Sequence, residues 1–313
     1  MKTQQLGRTN LVTSQVGLGA VELGLDYGIK SGGGHRKPGE SEAIHLLHEA
    51  LDLGISFIDT ARMYGTSEEV IGKALSGRRT AFTLATKVAP LPAKTTSSNA
   101  ISEHIDQSVA ASLRTLRTDH IDLLMLHSLR AAQLPYLESL AAAMRVWQRA
   151  GYVRCIGASV YADAAQQALQ SGFFDCLQIA HNALDREAEQ SILPIAGEMG
   201  TGIVIRSVML KGVLTERYRS LPDAMSPLRD AVGALDELAR AAGIALPELA
   251  LRYALHTEAV VLTGTAHSHE LRETVRCASQ GPLDPALMTA IRQVSISNRA
   301  LLNPDQWTWT EIA

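Results

Sequence analysis

Short apolar runs alternate with amphipathic stretches, without a break, through most of this chain. Gln15–Gly19, Ile55–Asp59, Ala81–Lys87, Ile121–His127, Tyr152–Ser159, Phe174–Ile179, Gly202–Ser207 and Val260–Leu262 read as strands. Between them the spacing predicts helices over Ser41–Leu53, Ser67–Ser76, Asn99–Leu116, Leu137–Ala150, Asp163–Ser171, Glu187–Met199, Leu228–Gly243 and Pro247–His256, with Leu271–Ala278 after the last strand. Continuous apolar strands joined by helices imply a parallel sheet covered on both faces. Eight such units predict an α/β fold that closes on itself, a (β/α)8 TIM barrel. Ahead of it, Lys2–Leu6 and Leu11–Ser14 flank Gly7–Asn10 and predict an N-terminal β-hairpin. A doubly wound open sheet is the rival, but Gly17, Gly19 and Gly24 have the wrong spacing for its dinucleotide fingerprint.

The 313 residues suit one barrel, which takes about 250 residues plus insertions. No Pro/Gly-rich linker divides them, so a single domain over 1–313 is expected. Composition excludes several classes. A net charge of −3 with no Lys/Arg block argues against nucleic acid. Cys155, Cys176 and Cys277 stand apart, which argues against a zinc ribbon or a disulfide framework and suits a reducing cytoplasm. The N-terminus lacks an apolar signal core and no run of about 18 apolar residues occurs, so a cytoplasmic protein without membrane contact is expected. His45 and His48, like His267 and His269, have no third ligand beside them, and no metal site is predicted. There is no nucleophile elbow, and Gly65–Lys73 is too long for a P-loop.

In a barrel of this kind the active site lies at the C-terminal strand ends. Three predicted strands end on an ionisable side chain: Asp59, Lys87 and His127. Tyr64 follows in the loop after the first of these. Neighbouring strands place all four side chains at one mouth, where they form a proton-transfer group. A phenol is too weak an acid at neutral pH until a nearby cation stabilises its anion.

The segments LGISFIDTARMYGTSEEVIGKAL, LATKV, IDLLMLHS, GYVRCIGAS, LQIAHNALDR and RSVMLKGVLT together resemble the aldo-keto reductase family over nearly the whole chain. The resemblance implies a (β/α) barrel that binds an extended NAD or NADP without a Rossmann fold. It implies an oxidoreductase interconverting an aldehyde or ketone and the alcohol by hydride transfer, on a small-molecule carbonyl or sugar substrate. In this chain Tyr64 becomes the general acid, Lys87 lowers its pKa and pairs with Asp59, and His127 orients and polarises the carbonyl. Two alternatives stand beside this reading: an NAD-dependent sugar dehydrogenase working mainly in the oxidative direction, and a cofactor-binding regulatory subunit with slow turnover.

The same resemblance assigns the cofactor track. Ser159 and Gln178 match positions that hold the nicotinamide carboxamide, and His181 stands where a Tyr commonly stacks under the ring. Arg206, Ser207, Leu210, Lys211 and Gly212 match the segment around the pyrophosphate. Gly264, Thr265, Glu270 and Glu273 match the adenosine end. Gly264 takes a usual Lys place and Glu270 a usual Arg place. An acid there repels a 2′-phosphate and accepts from a 2′-hydroxyl, which favours NAD, whereas Arg272, His267 or Arg276 could compensate for NADP. The Gly-rich, basic stretch Tyr27–Gly39 reads either as a surface loop or as a lid. Trp307 and Trp309 either line the mouth or pack on the barrel, Trp147 is structural, and Tyr27 and Met63 are weaker substrate contacts.

Overall fold

The computed structural model describes residues 1–29, 36–92, 95 and 97–307. Strands β1 (Thr3–Gln5) and β2 (Val12–Ser14) form an antiparallel hairpin. Eight parallel strands then follow: β3 (Val16–Gly19), β4 (Phe57–Asp59), β5 (Thr83–Val88), β6 (Ile121–Leu129), β7 (Val153–Val160), β8 (Cys176–Ala180), β9 (Gly202–Arg206) and β10 (Val260–Gly264). They close into a barrel in sequence order, with β10 pairing both β9 and β3. The expected TIM barrel with its N-terminal hairpin is therefore the architecture observed.

The helices are α1 (Val21–Gly24), α2 (Glu40–Asp52), α3 (Ser67–Leu75), α4 (Ser98–Thr115), α5 (Leu137–Arg149) and α6 (Ala162–Gln170). They continue with α7 (Glu187–Ser191), α8 (Leu193–Met199), α9 (Ser226–Ala241), α10 (Leu246–Leu255), α11 (Ser268–Ala278) and α12 (Pro285–Gln293). One helix expected over Glu187–Met199 is broken at Ile192, because Pro194 has no N–H to continue the ladder and sits in the first turn of α8 instead. Neither α1 nor α12 was expected. The first is a single turn, too short for a periodicity, whereas α12 does carry a start signal: Asp284 caps it by accepting from the Ala286 amide at 2.8 Å, ahead of Pro285.

Side chains alternate along each strand, so one set packs on the helices and the other fills the lumen. Ile58, Leu84, Leu124, Ile156 and Leu177 face outward into the helix layer. Phe57, Ala85, Leu123, Met125, Cys176, Val204, Val260 and Leu262 fill the lumen, closed below by Leu6 and Leu11 of the hairpin. At the N-terminal strand ends, Asp122 accepts from Arg79 at 2.6 Å, from Arg154 at 2.8 Å and from the Leu84 amide at 2.8 Å. Two residues further up each strand the lumen turns polar: Asp59 above Phe57, Lys87 above Ala85, His127 above Met125, Gln178 above Cys176 and Arg206 above Val204. The apolar plug is the floor of the site.

The turn carrying Tyr64 is clamped from below. Ser67 donates through Oγ to the Ala20 carbonyl at 2.8 Å and lies 2.8 Å from Thr60 Oγ1, while its amide bonds the Tyr64 carbonyl at 2.9 Å. Helix α1 presses on this turn through Gly24, where an added Cβ would lie 1.9 Å from the Tyr64 carbonyl oxygen and 2.5 Å from the Ser67 amide. Both obstacles are backbone, so the turn must move to admit any larger residue. Gly24→Ala should therefore cost about 1–3 kcal/mol, as overpacking of a tight contact does. Urea denaturation reads this, and an unchanged midpoint would show that α1 does not hold the turn.

Candidate active site

Asp59, Lys87, His127 and Tyr64 meet at the C-terminal end of the barrel. Lys87 Nζ donates to both Asp59 oxygens, at 2.8 and 2.7 Å, and to the Thr60 carbonyl at 3.0 Å. The same Nζ lies 4.9 Å from the centre of the Tyr64 ring. The Tyr64 and His127 rings meet edge to face with centroids 5.6 Å apart. In β6 the register shifts between Leu126 and Leu129, with Ser128 in the left-handed region at φ 59°. Such an irregularity re-aims the neighbouring side chain, here His127.

Burial dominates the electrostatics. It pulls the Lys87 ammonium down, opposed by Asp59. It pushes the Tyr64 phenol up, reinforced by Asp59, and the cation that pulls the other way is Arg206. Lys87 has its charge matched by Asp59 at contact distance, so the expected lowering of Tyr64 by Lys87 is outweighed. Burial, with Lys87 and Arg206, pulls the His127 imidazole down to about 3, which keeps it neutral. Its Nδ1 is buried without a partner.

The residues assigned to the cofactor fall into three groups. Gln178 and Ser159 reach the polar layer as register partners on β8 and β7, but Gln178 donates to Asp59 Oδ1 at 2.8 Å and so braces the ion pair. Arg206 also faces the mouth, its guanidinium 5.1 Å from the Tyr161 ring and bonded to Ser207 Oγ and the Val160 carbonyl, both at 3.2 Å. Lys211 lies 5.6 Å from the Tyr27 ring. Ser207, Leu210 and Lys211 all adopt positive φ, which makes a tight turn. Within it the Leu210 amide bonds the Ser207 carbonyl at 3.0 Å and the Gly212 amide bonds Met209 at 2.8 Å, so these amides are already engaged.

His181 does not join the site. Counting from the inward Gln178, an odd offset places it on the outer face of the barrel. Its ring is fully buried against Tyr253, with centroids 5.9 Å apart, and Nε2 lies 3.5 Å from Glu189. Burial pulls it down to about 4, and no face remains for a stacked ring. At the adenosine end, Glu270 accepts from Thr265 Oγ1 at 2.5 Å. Glu273 is bound to Arg276 at 2.7 Å, and Arg276 also bonds Glu248 at 2.6 Å. Arg272 is held by Glu49 at 2.6 Å. The carboxylates of Glu248 and Glu273 beside Cys277 form the metal-like group found among the described residues, and these arginine contacts already neutralise them.

The mouth is rimmed by the C-terminal segment, where Asp305 accepts from Arg130 at 3.0 Å and also from the Tyr161 hydroxyl. Trp307 packs into the barrel side and donates to the Leu301 carbonyl at 3.1 Å; Trp309 lies outside the described residues. Of the stretch Tyr27–Gly39, residues 30–35 also lie outside them. Its flanks are tied to the site: the Ile29 amide bonds the Lys211 carbonyl at 3.2 Å, and Lys37 reaches Thr66 at 3.3 Å. Met63 is exposed. A carboxylate that the sequence pattern does not single out is Glu22, one turn beyond β3, with Oε2 buried and unpartnered. The signal was its charge inside the apolar run from Gln15 to Leu25.

Comparison with known proteins agrees with this geometry. The family model described as the aldo/keto reductase family matches residues 16–296. The aldo-keto reductase AKR11C1 from Bacillus halodurans, in its holo form, superposes with a TM-score of 0.78 at 27% identity, covering 95% of this chain and 97% of that one. The uncharacterized oxidoreductase YqkF of Bacillus subtilis is 28% identical over 89% of this chain and 92% of its own length. The NADH-specific methylglyoxal reductase of Escherichia coli is 32% identical over 69% of each. A barrel with this mouth, matched from its first strand to beyond its last, defines an oxidoreductase class. This chain belongs to the aldo/keto reductase family.

Burial raises the Glu22 carboxyl from 4.5 to about 7, opposed by its own backbone N–H and reinforced by the nearby Glu270. The folded protein therefore holds the proton more tightly than the unfolded chain. Stability falls as pH rises from the unfolded value towards 7 and levels off above it. Glu22→Gln should stabilise the protein above pH 7 by up to about 3 kcal/mol, and the gain should fade towards pH 4.5. Urea denaturation at several pH values checks this; an equal gain at every pH would mean that ionisation of Glu22 is not its source.

Proposed function

We propose that this protein is an NAD(P)H-dependent carbonyl reductase that uses Tyr64 as its general acid. The observation that carries the reading is the convergence of Tyr64, Lys87, Asp59 and His127 on one mouth above a closed apolar floor. The bound dinucleotide supplies the hydride. Two features fit such a cofactor: the unpartnered Glu22 Oε2 and the unpartnered His127 Nδ1. Ser159 and Arg206, both facing the mouth, are the side chains that would hold its reactive end, and Lys211 a phosphate.

His127, neutral and set against Tyr64, donates a hydrogen bond to the substrate oxygen and orients it. As negative charge develops on that oxygen, preorganised donors stabilise it. Tyr64 then gives up its proton to the alkoxide, a base far stronger than phenolate. An acid whose pKa is held high can still do this, while the same surroundings disfavour a phenolate base. Asp59 holds Lys87, and Gln178 holds Asp59, so the position under the Tyr64 ring stays fixed.

The substrate class is a small aldehyde or ketone. The bacterial methylglyoxal reductase among the relatives supports this, and its NADH specificity agrees with a preference for NAD here. So do the engagements of Arg272 with Glu49 and of Arg276 with Glu248, which remove the cations best placed to grip a 2′-phosphate. Tyr64→Phe should lower kcat for methylglyoxal by roughly 10²–10⁴-fold, the usual worth of a positioned acid, and leave dinucleotide affinity unchanged. Loss of nicotinamide absorbance measures the first, and equilibrium fluorescence titration the second. Full activity in this variant would overturn the mechanism.

A further inference from the structure

Two lumen positions side by side at the mouth carry no side chain. Gly19 at the top of β3 and Gly264 at the top of β10 are register partners, and they leave a notch between the two strands. Helix α1 turns Glu22 into it. A Cβ on Gly264 would lie 2.3 Å from each of the Glu22 carboxylate oxygens, so the carboxylate occupies the space that any other residue at 264 would need. Gly264 is itself exposed, while Glu22 Oε2 beside it is buried and has no hydrogen-bond partner among the described residues.

The surroundings of Glu22 point in two directions. Towards the tetrad its charge acts on Tyr27 and Tyr64; towards α11 it is coupled to Glu270. It therefore stands between the reacting centre and the first turn of α11. Among the described residues no lysine or arginine pairs with it. Buried polar atoms in folded proteins nearly always have a hydrogen-bond donor or acceptor, and an exception calls for a missing partner. The partner that suits a carboxylate is a donor. Sugar hydroxyls supply one; a phosphate group offers only acceptors and further negative charge beside two carboxylates.

We propose that Glu22 is a cofactor-specificity residue: its carboxylate, seated in the Gly19–Gly264 notch, accepts hydrogen bonds from ribose hydroxyls of a dinucleotide without a 2′-phosphate and, with Glu270, disfavours one that carries it. This rests on the dinucleotide-dependent reading above and adds the residue that sets the choice. It also explains why residue 264 is glycine: a side chain there would expel the carboxylate.

The test is equilibrium binding of NADH and NADPH, in the absence of substrate, to the full-length wild type, Glu22→Gln and Gly264→Ala. Quenching of protein fluorescence gives each Kd. The wild type should bind NADH at least about tenfold more tightly than NADPH, and Glu22→Gln should bring that ratio to within about threefold, chiefly by tightening NADPH. Gly264→Ala, which displaces the carboxylate without removing it, should narrow the ratio in the same way, and the double variant should add little to either single one. Should one single variant fail to fold, the other carries the same comparison. A wild-type ratio in a folded Glu22→Gln, or a wild type that favours NADPH, would overturn the role of Glu22 and leave the enzyme reading standing. Failure of the wild type to bind either dinucleotide would overturn the enzyme reading, and this role with it.

Discussion

Two opposite charges with almost no access to water, Lys87 at 0% and Asp59 at 4% side-chain exposure, hold the top of the barrel together. Removing such ions from water costs several kcal/mol each, and their attraction offsets this only when the geometry is good and the remaining valences are filled. Here they are filled: Lys87 Nζ has a third acceptor in the Thr60 carbonyl, and Asp59 Oδ1 a second donor in Gln178. The pair spans β4 and β5, and Gln178 crosses the lumen from β8. The ion pair joins neighbouring strands, whereas the Gln178 contact forms only when the barrel closes.

Much else follows from placing that pair on an apolar floor. The lumen below it excludes water, so ionisation above it is governed by neighbours and burial. His127 is kept neutral and Tyr64 protonated. The mouth is thus rich in hydrogen-bond donors while its central ion pair is internally neutral. Arg206 adds a cation on the far wall, and Glu22 an anion between β3 and β10. The polarity of the site is divided around the ring of strands: β4 to β9 each contribute one inward polar side chain, and Glu22 from α1 fills the place beside the glycines of β3 and β10.

How much of this was legible in the chain depended on whether local periodicity or long-range contact decided it. Apolar runs and helix spacing located the strands, because each buries a repeating face irrespective of its partners. The same alternation, carried past the strand ends, would have placed His181 outside: it is an odd number of residues from Gln178, and its ring meets Tyr253 and Glu189. Resemblance put it under a nicotinamide, and the pleat of β8 decided otherwise. Gln178 was recognised as a site residue, but its contact with Asp59, 119 residues away in sequence, has no local signature.

By itself the sequence determined the barrel, its floor and the identity of the polar groups at its mouth. Those depend on period-two and period-3.6 burial and on residue chemistry, both written locally. Only the tertiary structure decided which charges are matched. It spent Lys87 on Asp59, engaged Arg272 and Arg276 elsewhere, and left Glu22 facing a glycine 242 positions along the chain. Closure of the last strand against the first creates that meeting, and no pattern within either strand announces it.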